Sequence, residues 1–181
     1  HCEEKSERAV PFLLLNLALR NIHAEILVGD VLTRKYSAIY SLTPTELFSD
    51  ITQVEQATDC KYQAVISNPP YSLKWEPKTD ERFTYGLAPA KAADYAFMQH
   101  GLSMLEEGGK AVFVLPHGVL FRGQSEGKIR QKLIDFKIIN SVIGLPDNTF
   151  LNTCIPVCLV VCENYRPDIL FIDGSKECKK I

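Results

Sequence analysis

Residues 63–71 read Gln-Ala-Val-Ile-Ser-Asn-Pro-Pro-Tyr, an apolar run that closes on a rigid polar turn. Gln63–Ser67 has the small and β-branched residues of a buried strand. Asn68-Pro69-Pro70-Tyr71 ends it, because neither proline can donate a backbone N–H to a ladder. Ligands of open α/β sheets bind beyond the carboxyl ends of strands, so a cluster in this position points to a site. Working outward, short apolar runs recur at Glu25–Gly29, Lys110–Leu115, Ser141–Leu145, Ile155–Cys162 and Ile169–Ile172. Helical patterns lie near residues 6–20, 44–57, 92–105 and 124–136. Strands separated by helices predict a parallel or mixed sheet covered by helices, and the unbroken runs suit strands buried on both faces. The chain opens on a helix pattern with no strand before it. Gly108-Gly109 reads as the left-handed stop of the 92–105 helix, and Ser125 as the capped start of the last one.

Composition narrows the class. The 181 residues carry 20 Lys+Arg against 22 Asp+Glu, a net charge of −2, and 46% are hydrophobic. These values exclude a disordered chain, a collagen-like repeat and a strongly basic nucleic-acid tail, and the length suits one domain. Six cysteines are too sparse for a disulfide scaffold and read as reduced thiols of a cytoplasmic protein. The apolar run Ala9–Leu19 is shorter than the ~18–20 residues of a spanning helix, so no membrane is expected. No G-x-G loop and no metal-binding pair of histidines is present. Cys154, Cys158 and Cys162 fall on one face of a strand but span about 26 Å end to end, too far for one ion, and read as small buried apolar residues. The expected metal set is none.

The turn after Ser67 has a defined chemistry. Asn68 Oδ1 and the Pro69 carbonyl can each accept one N–H of a planar amine, while Tyr71 stacks on its ring. An exocyclic adenine nitrogen is a poor nucleophile because its lone pair is delocalised. Two acceptors on its hydrogens favour pyramidal geometry and stabilise the positive charge that develops on attack. In duplex DNA the base must first leave the stack, and aromatic stacking in the pocket offsets part of that cost. The plainer reading is a proline-rich turn with a capping Asn and a core Tyr. Two acids stand upstream: Glu4 before a helix pattern and Asp30 at a strand end. Acids at adjacent strand ends hold a nucleoside, one through ribose hydroxyls and one through a base amine. Asp30 reads equally as a helix cap, and Glu3-Glu4 as a solvated charge run.

Ser67-Asn68-Pro69-Pro70-Tyr71 preceded by Gly29-Asp30 resembles the amino-methyltransferases that use S-adenosylmethionine. The resemblance narrows downstream. It runs through Asp94-Tyr95-Ala96-Phe97 with His100, Gly108-Gly109-Lys110-Ala111, the Leu115–Gly123 stretch LPHGVLFRG and Glu126-Gly127-Lys128-Ile129-Arg130. It continues through Gly144-Leu145-Pro146 with Phe150 and Ile155-Pro156-Val157-Cys158. Together these are similar to the modification (M) subunit of type I restriction-modification systems, a site-specific DNA adenine-N6 methyltransferase.

The resemblance covers nearly the whole chain. It implies a doubly wound α/β, Rossmann-like fold of the S-adenosylmethionine-dependent methyltransferases. It places Asn68, Pro69, Pro70 and Tyr71 on the catalytic motif. Glu4 falls on the ribose-binding acid, a place that Glu3 would take on a one-residue slip of the match, and Asp30 falls on the contact to the cofactor's adenine. S-adenosyl-L-methionine is the implied cofactor; double-stranded DNA, a specificity (S) subunit and a restriction (R) subunit are the implied partners. The family's Gly-rich cofactor loop and helical flanking parts would lie outside residues 1–181. The chain therefore reads as a methyltransferase catalytic domain fragment, truncated before the first strand and inactive alone. The alternatives are the same chemistry on a protein glutamine or another amine, and a clipped domain kept as an assembly piece. Lys74, Lys78, Arg82 and Lys91 read as DNA-phosphate contacts or a solvated loop. Arg122, Lys128, Arg130 and Lys132 read as a DNA or subunit face or an ordinary helix surface.

Overall fold

A short acidic strand opens the chain: Cys2–Glu4 (β1) pairs in parallel with Ala24–Asp30 (β2), Glu4 lying opposite Val28. The crossover between them is helix α1, Val10–Leu19, with Pro11 in its first turn, where a missing N–H leaves no bond unmade. Val10 and Ala18 of α1 pack with Ala24, Ile26, Val28 and Leu42, and Leu13, Leu14 and Leu17 close over them. Lys35–Thr43 (β3) returns antiparallel to β2, and Asp50–Val54 (β4) antiparallel to β3, giving the order β1-β2-β3-β4. A computed structural model describes residues 1–150, 154–163 and 168–176 of the chain, which divides into two units, His1–Cys60 and Lys61–Ile181.

Among the described residues, the second unit is built on five strands. Tyr62–Ser67 (β5) leads through residues 68–93 to helix α2, Asp94–Ser103, and then to Leu105–Pro116 (β6), which pairs in parallel with β5. Gly118–Phe121 (α3) and Gln124–Asp135 (α4) lead to Ile139–Gly144 (β7). Val157–Glu163 (β8) runs antiparallel to both β6 and β7, and Leu170–Asp173 (β9) parallel to β7. In the order β5-β6-β8-β7-β9, four strands therefore share one direction and β8 alone is reversed. Burial alternates along β6, with Ala111, Phe113 and Leu115 fully inside. Helix α2 lies hard against this strand. A Cβ on Gly101 would stand 2.7 Å from the Phe113 ring, so the helix can approach only because residue 101 has none.

Several expectations give way here. The 44–57 pattern is not a helix: β4 covers its second half, and Leu42↔Ile51 and Ile39↔Val54 pair it with β3. Leu47, Phe48 and Ile51 have helical spacing, but cross-strand pairing decides the conformation. A strand does precede the first helix; three residues, two of them Glu, are too few to show a period. Helix α2 ends at Met104 without a left-handed residue, and the positive φ of Gly108 serves a register shift inside β6. Helix α4 has Gly123 at its cap with no side-chain bond, so Ser125 is not the cap. Burial of strands on both faces also fails at β5, where Ile66 is 84% exposed. Among the described residues no helix is long and apolar enough to cross a membrane.

Candidate active site

Strand β5 ends at Ser67, opposite Phe113 on β6, and Asn68 follows at its carboxyl end. Pro69 is buried while Asn68 and Pro70 are exposed, so the turn is pinned at its second residue and open at its first. Tyr71 is half-buried, and its hydroxyl donates to Asn68 Oδ1 over 2.8 Å. Burial pushes the Tyr71 phenol above its ordinary pKa, which keeps the hydroxyl a donor at neutral pH. The carboxamide oxygen has two lone pairs, so the Asn68–Tyr71 bond engages one and leaves acceptor capacity for an incoming N–H. The Phe150 ring stands 6.5 Å from the Tyr71 ring, tilted by 57°. The structure thus joins Asn68 to Tyr71 and adds an aromatic neighbour, which in the sequence is one ring among seventeen Phe, Tyr and Trp apart from its tie to Gly144-Leu145-Pro146.

The residues after the turn are held by ionised side chains. Ser72 has φ +50°, in the left-handed region, and its N–H donates to Asp94 Oδ1 over 2.9 Å. Asp94 opens α2 and is fully buried. Arg122 donates to Asp94 Oδ2 (3.0 Å), Glu126 Oε1 (3.1 Å) and Ser72 Oγ (3.1 Å). Burial lowers the Arg122 pKa, but the bonds to Asp94 and Glu126 and their charges outweigh it and raise the net value. Burial raises the Glu126 carboxyl, with the charge of Asp94 adding to the effect and Arg122 opposing it. Arg130 donates to the carbonyls of Val119 and Arg122, and the Tyr95 hydroxyl also donates to Val119 O. Burial pushes the Tyr95 phenol up to about 12, so it too remains a donor.

This accounts for part of the expected basic face. Arg82 is 4% exposed, bound to Asp80 (2.7 Å) and in contact with His100 Nδ1 (2.8 Å), so it does not face DNA phosphates. Arg122 and Arg130 likewise point into the protein network. Lys74, Lys78, Lys91, Lys128 and Lys132 remain exposed.

In the first unit, Glu4 and Asp30 stand at the carboxyl ends of the parallel neighbours β1 and β2. Glu4 Oε1 accepts the Ser6 N–H (2.6 Å), whereas Glu3 Oε1 accepts the Tyr36 hydroxyl (3.0 Å). Asp30 Oδ1 accepts the N–H groups of Leu32 (3.0 Å) and Thr33 (3.2 Å), and Oδ2 takes Lys5 Nζ at 2.6 Å. Burial raises the Asp30 carboxyl, but the Lys5 and backbone donors together bring it below the ordinary value. Asp30 therefore caps the β2–β3 turn, not a helix. Among the described residues no cluster of His, Cys, Asp and Glu could hold a metal ion. Cys158 and Cys162 are buried as expected; Cys154 precedes β8 and is exposed.

The N-6 DNA methylase family model matches residues 1–181. The chain is 39% identical over 127 residues to the type I restriction enzyme MpnII methylase subunit of Mycoplasma pneumoniae, covering 64% of this chain and 23% of that one. The crystal structure of the type I restriction-modification system methyltransferase subunit from Streptococcus thermophilus aligns with a TM-score of 0.70 and 36% identity, over 86% of this chain and 31% of that one. A Listeria monocytogenes chain described as a class I S-adenosylmethionine-dependent methyltransferase shares the fold at 18% identity, with a TM-score of 0.53 over 69% of this chain and 40% of that one. The chain thus spans less than a third of the type I subunits it matches here. Its fold is the Rossmann-like α/β fold of the S-adenosylmethionine-dependent methyltransferases, and with a family model matching its full length, the chain belongs to the N-6 DNA methylase family.

Proposed function

We propose that residues 1–181 supply part of the catalytic domain of a type I modification subunit, which methylates adenine N6 in double-stranded DNA. The observation that carries this reading is the Asn68–Tyr71 pair at the end of β5, in a chain whose family acts on DNA at this nitrogen. Asn68 Oδ1 and the Pro69 carbonyl accept the two N6 hydrogens of an adenine turned out of the duplex. The Tyr71 ring, with Phe150 beside it, stacks on the base. S-adenosyl-L-methionine supplies an electrophilic methyl on a sulfonium. When bound, this donor would pass its methyl to N6 and leave as the neutral thioether, with one N6 proton passing to solvent. Asn68 stabilises the charge that N6 gains on attack.

Glu4 and Asp30 are the residues of this chain that suit the nucleoside half of the cofactor. Both are acceptor-only carboxylates at neighbouring parallel strand ends, matching a ribose diol and an adenine amine in chemistry. Glu4 and Glu3 each have one carboxylate oxygen engaged, by the Ser6 N–H and the Tyr36 hydroxyl, so the preference for Glu4 as the ribose acid rests on its place as the last residue of β1. The near-neutral charge argues that this chain does not find its DNA site unaided, since phosphate contacts dominate affinity. The resemblance to type I modification subunits implies a specificity subunit for targeting and a restriction subunit for cleavage. The exposed free thiols of Cys60 and Cys154 suit the reducing cytoplasm. The test is transfer of radiolabelled methyl to DNA by the assembled enzyme. Asn68→Ala should lower the rate roughly 10²–10³-fold with cofactor affinity little changed. Methylation at the wild-type rate would sink the assignment.

A further inference from the structure

We propose that Asp94 and Arg122 are positioning residues for methyl transfer: through Ser72 they hold the Asn68–Tyr71 turn in its reactive geometry. The inference rests on the catalytic reading of that turn and adds a role that the reaction itself does not require.

Ser72 directly follows Tyr71 and is gripped twice. Its backbone N–H donates to Asp94 Oδ1 (2.9 Å), and its Oγ accepts from Arg122 Nη2 (3.1 Å). Arg122 Nη1 closes the ring on Asp94 Oδ2 (3.0 Å). The left-handed φ of Ser72, +50°, is a conformation that L-residues adopt when surrounding bonds impose it, and these bonds do so. The chain beyond is stapled in the same direction. The Ala93 N–H donates to Leu73 O (2.9 Å) and the Trp75 N–H to Ala90 O (2.9 Å).

The clamp is itself anchored. Glu126 Oε1 takes a second bond from Arg122 Nη1, and Arg130 Nη1 fixes the Arg122 carbonyl at 2.9 Å. Tyr95, the neighbour of Asp94 on α2, shares the Val119 carbonyl with Arg130. Helices α2, α3 and α4 thus converge on one guanidinium. A buried ion pair is weak evidence for stability, because desolvation offsets the attraction. What this pair does supply is geometry: a planar fork reaches a carboxylate and a hydroxyl at once, which an ammonium cannot do with the same precision of direction.

The experiment uses the assembled enzyme and compares Ser72→Ala, Arg122→Lys and Asn68→Ala for kcat, KM of S-adenosylmethionine and thermal midpoint. Ser72 is exposed, so removing its hydroxyl leaves the buried ion pair in place. Misplacement of a reacting group by about 1 Å can lower a rate ~10²-fold, so kcat should fall roughly 10-fold in Ser72→Ala and up to ~100-fold in Arg122→Lys. KM should stay within about twofold, and the Ser72→Ala midpoint should be that of the wild type. The double variant should be no slower than Arg122→Lys alone, because both remove the same clamp. If Asn68→Ala is inactive while Ser72→Ala and Arg122→Lys keep the wild-type kcat, the clamp is refuted and the catalytic reading stands. If Asn68→Ala keeps the wild-type rate, the catalytic reading falls and the clamp with it.

Discussion

The Tyr71 hydroxyl donates to Asn68 Oδ1 across 2.8 Å, so in the proposed reaction the side chain assigned to stack on the base also aims the acceptor assigned to its amine. The two roles separate by substitution. Tyr71→Phe keeps the ring and loses one hydrogen bond of about 1 kcal/mol, which corresponds to a roughly fivefold lower kcat. Tyr71→Ala also removes the stacking surface, worth another ~1–3 kcal/mol per base, and should weaken binding of DNA carrying the target base. Methylation rates and binding to duplexes with and without the target adenine check both. Equal losses in the two variants would mean that the ring contributes nothing to base binding.

Gly101→Ala sets two known effects against each other. Alanine in a helix interior gains about 1 kcal/mol over glycine. The new Cβ, however, would lie 2.7 and 2.8 Å from Phe113 ring carbons and 3.2 Å from Val65 Cγ1. Phe113 is fully buried, so displacing its ring disturbs the packing around it. Overpacking of that kind costs roughly 1–3 kcal/mol, so it should at least cancel the gain. The expected result is a lower urea midpoint with an unchanged slope. A stabilised variant would show that α2 can lift from β6.

The difference between what the sequence revealed and what it hid follows the range of the interactions. Lys110–Leu115 and Ile155–Cys162 were legible as strands because their apolar runs reflect burial, a local property of composition. Asn68-Pro69-Pro70-Tyr71 was legible because the turn closes on itself within three residues. The clamp was not: Asp94–Ser72, Arg122–Asp94 and Arg122–Ser72 join positions 22, 28 and 50 residues apart. Arg82 looked like a loop cation until Asp80 and His100 turned it inward. The β3–β4 hairpin was hidden for a related reason, since Leu47, Phe48 and Ile51 mimic helical spacing and only pairing with Leu42 and Ile39 decides between the two.

Four of the cysteines should divide into two classes. Burial pushes the Cys158 thiol up to about 11 and the Cys162 thiol up to about 12, whereas Cys60 and Cys154 are exposed. The thiolate is the reactive form. At neutral pH a thiol reagent should therefore label Cys60 and Cys154 rapidly, and Cys158 and Cys162 only on unfolding. The linkage has a definite sign. Folded pKa values above that of the unfolded thiol mean that stability is full below pH ~8.5–9 and declines as pH rises through 11–12, because the unfolded chain ionises first. Replacing both buried thiols with Ala or Val should flatten that alkaline decline. Rapid labelling of Cys162 in the native protein would show that β8 opens without global unfolding.

Asp30 has a structural duty and a proposed ligand duty, and these respond to different changes. Its Oδ1 holds the N–H groups of Leu32 and Thr33, and its Oδ2 holds Lys5. With the folded pKa below the ordinary carboxylate value, its contribution to stability is present above pH ~4 and is lost as pH falls through the depressed value. The side chain is about a third exposed, so the Lys5 pair is screened and contributes little, on the order of 0–1 kcal/mol. Asp30→Asn keeps an acceptor for the turn and removes the charge. It should leave stability at neutral pH within about 1 kcal/mol of the wild type, while an amide facing the cofactor's amine should weaken S-adenosylmethionine binding by ~1–3 kcal/mol. Asp30→Ala should lower both, because the turn then loses its acceptor as well, at about 0.5–2 kcal/mol. Calorimetric titration of the assembled enzyme alongside thermal melts at pH 7 and pH 3.5 separates the two duties. Unchanged cofactor affinity in Asp30→Asn would leave Asp30 as a turn cap and assign the adenine contact elsewhere.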